Sequence, residues 1–156
     1  MSESGAPTVS RRPRRPERTT PMPEPEDLVA LMPLAGHLGL RLTEAGPDRV
    51  EGTLPWSRSL CTAGDTLHGG ALMALADTVG AVCAYLNLPA GCVTSTAESS
   101  TRFFRPVRSG EVRATARPLH VGRTLIVVQT DLCDAAGRPV GQTTQGQTVR
   151  AAGPAA

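Results

Sequence analysis

The stretch from Leu67 to Leu86 holds the residues best able to do chemistry. It contains a His68-Gly69-Gly70 triplet and, nine residues after the histidine, one charged side chain, Asp77, set among Ala, Leu, Val and Gly. A carboxylate in such surroundings must be partnered or have its pKa raised, because its charge has lost water. It could then take a proton from an attacking water, or itself attack an electrophilic carbon. The triplet suits the other half of such a reaction. At a helix start the first backbone N–H groups have no partner within the helix, and the dipole adds partial positive charge there. Two glycines keep side chains away from those donors, so a carbonyl oxygen gaining negative charge could be held. Each part also has a plainer reading: Asp77 as a structural residue bonded to neighbouring backbone, the triplet as an ordinary turn into a helix. Helical rise sets roughly 13 Å between His68 and Asp77, so one carbonyl cannot reach both within one chain. If the two features cooperate, neighbouring subunits must supply them.

The element that carries both is a helix expected over residues 68–87, ended by Pro89 and Gly91. Leu72, Leu75, Val79, Val82 and Leu86 follow helical spacing and should press into a sheet. Asp77 falls on another stripe with Met73, Ala74, Gly80, Ala81 and Ala84, whose small side chains leave a groove or admit another backbone. A run apolar on every side is a buried helix. A membrane span is rejected: an Asp near a bilayer centre costs about 3 kcal/mol, and the glycines and His shorten the apolar run.

Strands surround this helix. Leu40 and Leu42 alternate with polar residues, Gly46-Pro47-Asp48 turns the chain, and Val50, Gly52, Leu54 and Trp56 alternate again. After the helix, Val93–Phe104, the segment around Val112–Ala116, Arg123–Cys133 and Val140–Val149 read as four strands joined by tight turns. A short helix containing Leu28, Val29, Leu31 and Met32 precedes them and stops before Pro33. Runs of strands around one helix specify α+β with an antiparallel sheet, not a parallel doubly wound one. Residues 1–23, rich in Arg, Pro, Ser and Thr, read as a disordered tail, 24–150 as the folded domain, and 151–156 as a flexible end.

Charge narrows the partners. All sixteen basic residues are Arg; five of them, against two Glu, lie in residues 1–20, leaving the rest of the chain with eleven Arg and twelve acids. A nearly neutral domain offers no broad basic face, so no nucleic acid partner is expected, and no membrane one. The four cysteines and three histidines make neither a disulfide framework nor a metal-ligand set. His37 and His120 lie at expected loop edges and are assigned no catalytic role. No Gly-x-Ser-x-Gly elbow is present, which argues against a Ser-His-Asp hydrolase. No cofactor is called for, and with no apolar segment after the paired arginines, a cytoplasmic location is expected.

Leu67-His68-Gly69-Gly70-Ala71-Leu72 followed by Leu75-Ala76-Asp77 resembles the His-Gly-Gly-x6-Asp signature of the PaaI-type hotdog thioesterases. Thr96-Ala97-Glu98 through Phe103-Phe104-Arg105-Pro106, the Gly122-Arg123-Thr124 strand start and the Asp134-Ala135-Ala136-Gly137 turn fit the same family, so the likeness covers roughly residues 34–150. The resemblance implies a hotdog fold, a curved antiparallel sheet of five to six strands wrapped around one long central helix. It also implies hydrolysis of acyl-CoA thioesters by a homo-oligomer, a dimer or a dimer of dimers, with active sites between subunits. Carried over by position, Asp77 matches the catalytic carboxylate, Gly69 the glycine whose N–H polarises the thioester carbonyl, and His68 its neighbouring histidine. Thr96 falls where a hydroxyl helps to place water; Gly70 and Thr62 join the substrate-binding set, and Arg102, Arg105 and Arg123 are candidates for the nucleotide phosphates. Two positions depart from the pattern: Thr62 stands where the family often has Asn, and Asp65 where it has Gly. A catalytically silent acyl-CoA-binding oligomer and a hotdog hydratase therefore stay open as alternatives.

Overall fold

Pro25 and Pro33 each open a short helix, since a proline at the first helical position gives up an N–H that would have no partner anyway. The computed structural model, which describes residues 24–153, has α1 at Pro25–Ala30 and α2 at Pro33–Leu38. The second helix is a correction: Pro33 was expected only to end the first. His37 consequently lies inside α2 rather than at a loop edge. The expected Arg-rich tail, residues 1–23, lies outside the described residues.

Six strands form the main sheet: β1 Arg41–Ala45, β2 Val50–Pro55, β5 Cys92–Phe103, β6 Glu111–Val121, β7 Leu125–Asp134 and β8 Pro139–Ala151. Two further two-residue strands, β3 Cys61–Thr62 and β4 Thr66–Leu67, make a small ribbon just before the long helix. All pairings are antiparallel, in the order β1-β2-β6-β7-β8-β5. β6 extends through His120, which therefore lies in a strand rather than at a loop edge, and β8 runs one residue past the expected boundary at 150.

The long helix α3 spans Gly69–Leu86, with His68 and Asn87 as its caps. It is long and apolar enough to cross a membrane, yet it packs against β2, β5, β6, β7 and β8. Leu72, Leu75, Val79, Val82 and Leu86 are all buried there, as their spacing requires. They join Val50, Leu54, Val112, Ala114, Ile126, Val128 and Leu132 of the sheet in one buried cluster. With aromatics at 3% of the chain, the buried hydrophobic residues of this core are Leu, Val, Ile, Ala and Cys, and Trp56 packs against it only half-buried. Gly52 makes the close seat achievable: a Cβ there would stand 2.8 Å from Val79 Cγ2 and 2.9 Å from the Arg41 carbonyl.

Candidate active site

Asp77 lies midway along α3, half-buried rather than fully enclosed, because it faces β5 at the edge of the sheet. The carboxylate is partnered through one of its oxygens. Thr96 Oγ1 on β5 donates to Asp77 Oδ1 at 2.9 Å, and Gln145 Nε2 on β8 donates to the same oxygen at 3.2 Å. Behind them, Gln147 Nε2 donates to Thr96 Oγ1 at 2.8 Å, and Thr94 Oγ1 donates to Gln147 Oε1 at 3.2 Å. Asp77 Oδ2 makes no hydrogen bond among the described residues.

Strand register explains the grouping. Thr94, Thr96, Gln145 and Gln147 all lie on the helix side of two adjacent strands, with Thr96 opposite Gln147 and Thr94 opposite Val149. A bulge at Ala97 then shifts the beat, so Glu98 pairs with Gly146 and stands on the other face, away from Asp77. Without that extra residue, Thr96 and Glu98 would share a face.

Gln145 and Gln147 were not anticipated from the sequence. Both are almost wholly buried, at 1% and 0% exposure. Gln145 fits only because position 80 is glycine: a Cβ there would approach Gln145 Oε1 to 2.4 Å. That oxygen is buried with no partner among the described residues. Stranding it costs about 1–3 kcal/mol.

At the start of α3, His68 caps the helix by accepting the Gly70 N–H at Nδ1, 2.8 Å away. The Gly70 donor is thus engaged by the histidine. The His68 carbonyl takes the N–H groups of Ala71 and Leu72. The N–H of Gly69 is left without a partner among the described residues. Gly69 lines an open cleft of about 350 Å³ together with Thr66, Leu72, Phe103, Phe104 and Arg105. The Phe103 ring lies over the glycine, 3.1 Å from where a Cβ would be.

The remaining candidates are dispersed. Thr62 is exposed on the β3–β4 ribbon opposite Thr66, and it is Thr66 that lines the cleft. Asp65 occupies the left-handed region at φ 54, which a glycine would adopt without strain and which Asp tolerates better than most residues. Its carbonyl accepts from Trp56 Nε1 at 3.2 Å. Arg105 reaches the cleft while its Nη1 donates to the Pro139 carbonyl at 2.7 Å. Arg102 is exposed on β5 opposite Gln142, and Arg123 is exposed in the β6–β7 turn, level with the opposite end of β5. The two ends of β5 are separated by roughly 25 Å or more, so the three arginines do not converge within one chain.

Comparison with known proteins places this geometry in a family. The thioesterase superfamily model matches residues 64–140, the span from the loop before α3 into β8. The chain is 39% identical to the proofreading thioesterase EntH of Cronobacter turicensis over 106 residues, 67% of this chain and 77% of that protein. It is 32% identical to the 1,4-dihydroxy-2-naphthoyl-CoA hydrolase of Escherichia coli over 105 residues, again 67% and 77% of the two chains. Among solved structures, a thioesterase from Haemophilus influenzae superposes with a TM-score of 0.79 at 29% identity, covering 84% of this chain and 93% of the other. The PaaI protein of Escherichia coli superposes at 0.75 with 20% identity over 81% and 91%, which speaks to the fold. By sequence and by architecture, this chain belongs to the thioesterase superfamily, on the hotdog fold.

Proposed function

We propose that the protein hydrolyses acyl-CoA thioesters with Asp77 as its reacting carboxylate. The observation that carries this reading is the asymmetry of that carboxylate: Oδ1 receives two donors and Oδ2 none among the described residues. Thioester hydrolysis needs a polarised carbonyl and an activated nucleophile. The unpartnered Gly69 N–H at the start of α3 suits the carbonyl oxygen, which gains negative charge as its carbon is attacked. Asp77 Oδ2 then takes a proton from water as that water adds to the carbon. Alternatively Oδ2 adds directly, giving a mixed anhydride that water hydrolyses. In either route the C–S bond breaks and the CoA sulfur leaves to become the free thiol. Thr96 enters this reading as a donor to Asp77; its one proton is directed at the carboxylate, not at water.

Helical rise puts Gly69 and Asp77 about 12 Å apart, which supports a site shared between two copies, with Gly69 from one and Asp77 from the other. A second observation supports the same assembly. β5 is a twelve-residue edge strand, exposed along most of its length, and an open edge of that kind is suited to pairing with another copy. Arg105 beside the Gly69 cleft is the arginine best placed to meet a nucleotide phosphate. A cytoplasmic location completes the reading, in keeping with four cysteines that lack paired spacing.

The test is thiol release from a panel of acyl-CoA esters running from short aliphatic to aryl acyl groups. Asp77→Ala and Asp77→Asn are expected to lower kcat by at least a hundredfold. Turnover at the wild-type rate in either variant would remove Asp77 from the mechanism. Tight acyl-CoA binding by the wild type without thiol release would replace the enzyme with a binding module.

A further inference from the structure

We propose that Gln145 and Gln147 of β8 are positioning residues of the reaction, which orient the Asp77 carboxylate through a proton-ordered hydrogen-bond chain and leave Oδ2 as its reacting oxygen. The inference rests on Asp77 being the catalytic carboxylate, as argued above, and adds how it is held.

The order of protons along the chain follows from the charge at its end. Thr96 Oγ1 stands 2.9 Å from Asp77 Oδ1. With its hydroxyl proton turned elsewhere, two sets of oxygen lone pairs would face each other at that distance, one of them charged. The proton therefore lies between Thr96 and Asp77. Thr96 must then act as acceptor towards Gln147, which presents its Nε2 at 2.8 Å. The Gln147 amide is thereby fixed, its Oε1 pointing the other way, where Thr94 donates to it at 3.2 Å. Every proton in the series Thr94, Gln147, Thr96 points towards Asp77, and each bond polarises the next.

Gln145 completes the arrangement from the same strand. Its Nε2 reaches Asp77 Oδ1 at 3.2 Å and the Asp77 carbonyl at 3.4 Å. The reverse amide orientation would set its oxygen against the carboxylate. The donor faces Asp77 even though Oε1 is thereby buried without a partner among the described residues. Gly80 makes the room for that oxygen. Asp77 is the only charged residue in the sequence of α3. β5 and β8 present Thr94, Thr96, Gln145 and Gln147 to its neighbourhood, all uncharged. Two buried amides on the closing strand thus decide which way the carboxylate faces.

The experiment compares steady-state thiol release from one acyl-CoA ester in the wild type and in Gln147→Met, Gln145→Met, Thr96→Val, the Thr96→Val/Gln147→Met double variant and Asp77→Asn. Loss of a bond to the carboxylate predicts that Gln145→Met and Thr96→Val each lower kcat on the order of ten- to a hundredfold, and that Gln147→Met lowers it by no more than Thr96→Val, with KM changed less than about twofold in all three. Gln147 acts through Thr96, so the double variant should fall no further than Thr96→Val alone. Gln145 acts directly, so its loss should multiply with that of Thr96. A Gln147 that merely packs the core would lower stability and leave kcat of its single variant at the wild-type value, and a double variant that falls below Thr96→Val would mean that Gln147 acts elsewhere; either outcome overturns the proposal. Wild-type kcat in both glutamine variants, with Asp77→Asn inactive, overturns it alone. A fully active Asp77→Asn overturns the underlying mechanism instead. Should Gln147→Met not fold, the exposed Thr96 tests the same chain from outside the core, and wild-type kcat in Thr96→Val refutes it.

Discussion

His68 serves the helix and the cleft with one ring. Accepting the Gly70 N–H at Nδ1 caps the first turn, and it leaves the Gly69 N–H as an open donor there among the described residues. Replacing His68 by Ala removes a capping acceptor and should lower unfolding stability by about 1 kcal/mol. His68→Asn, which can cap from the same position, should recover most of it; urea titration of the three proteins measures both effects. The sequence exposed His68, Gly69 and Asp77 readily, because one charge in an apolar helix and two glycines at its start break the surrounding pattern. Gln145 and Gln147 leave no such mark. A glutamine in a strand ordinarily faces water, and only the pairing of β8 with β5 turns both inward. Val149, two positions on and buried, was the available sign that residues 145 and 147 share the core face.

Elements were legible in proportion to how local their cause is. Alternation and turn residues located all six strands of the main sheet, and helical spacing located α3 to within a residue at each end. Pro33 was misread because a proline both stops one helix and starts another. The bulge at Ala97 is set by pairing between distant strands and had no local signature. Two predictions belong at this scale. Gly52→Ala pushes a methyl into Val79 and the Arg41 carbonyl where α3 meets β2, and it should cost about 1–3 kcal/mol by overpacking; the denaturation midpoint reads it. The β7–β8 turn supplies the other. There the Arg138 backbone N–H, and then the Arg138 guanidinium and the Ala136 N–H, outweigh the cost of burial and hold the Asp134 carboxyl below its usual range. A depressed carboxyl stabilises the fold above its unfolded pKa, and that contribution disappears as pH falls through the folded value. Asp134→Asn should therefore flatten the loss of stability below about pH 4, as followed by urea midpoints across the acid range. An unchanged acid slope would remove Asp134 from the cause.

For the molecule as a whole, the long edge of β5 is the feature a single chain leaves unfinished. Light scattering on the purified protein should give a mass at least twice 16.3 kDa, and a monomer at micromolar concentration would contradict the shared site. Fold and family were readable from the chain because the core pattern and the helix motif are both local to residues 34–150. The proposed pairing of copies is not local, and the sequence carried it only as the distance from the start of α3 to Asp77. Thr96 lies on that same outer strand, one bond from Asp77. Anything that binds along the strand will set the carboxylate's surroundings at the same moment. Turnover per protomer should then rise with enzyme concentration and level off, and a dilution series through the association midpoint would trace one curve for mass and for rate.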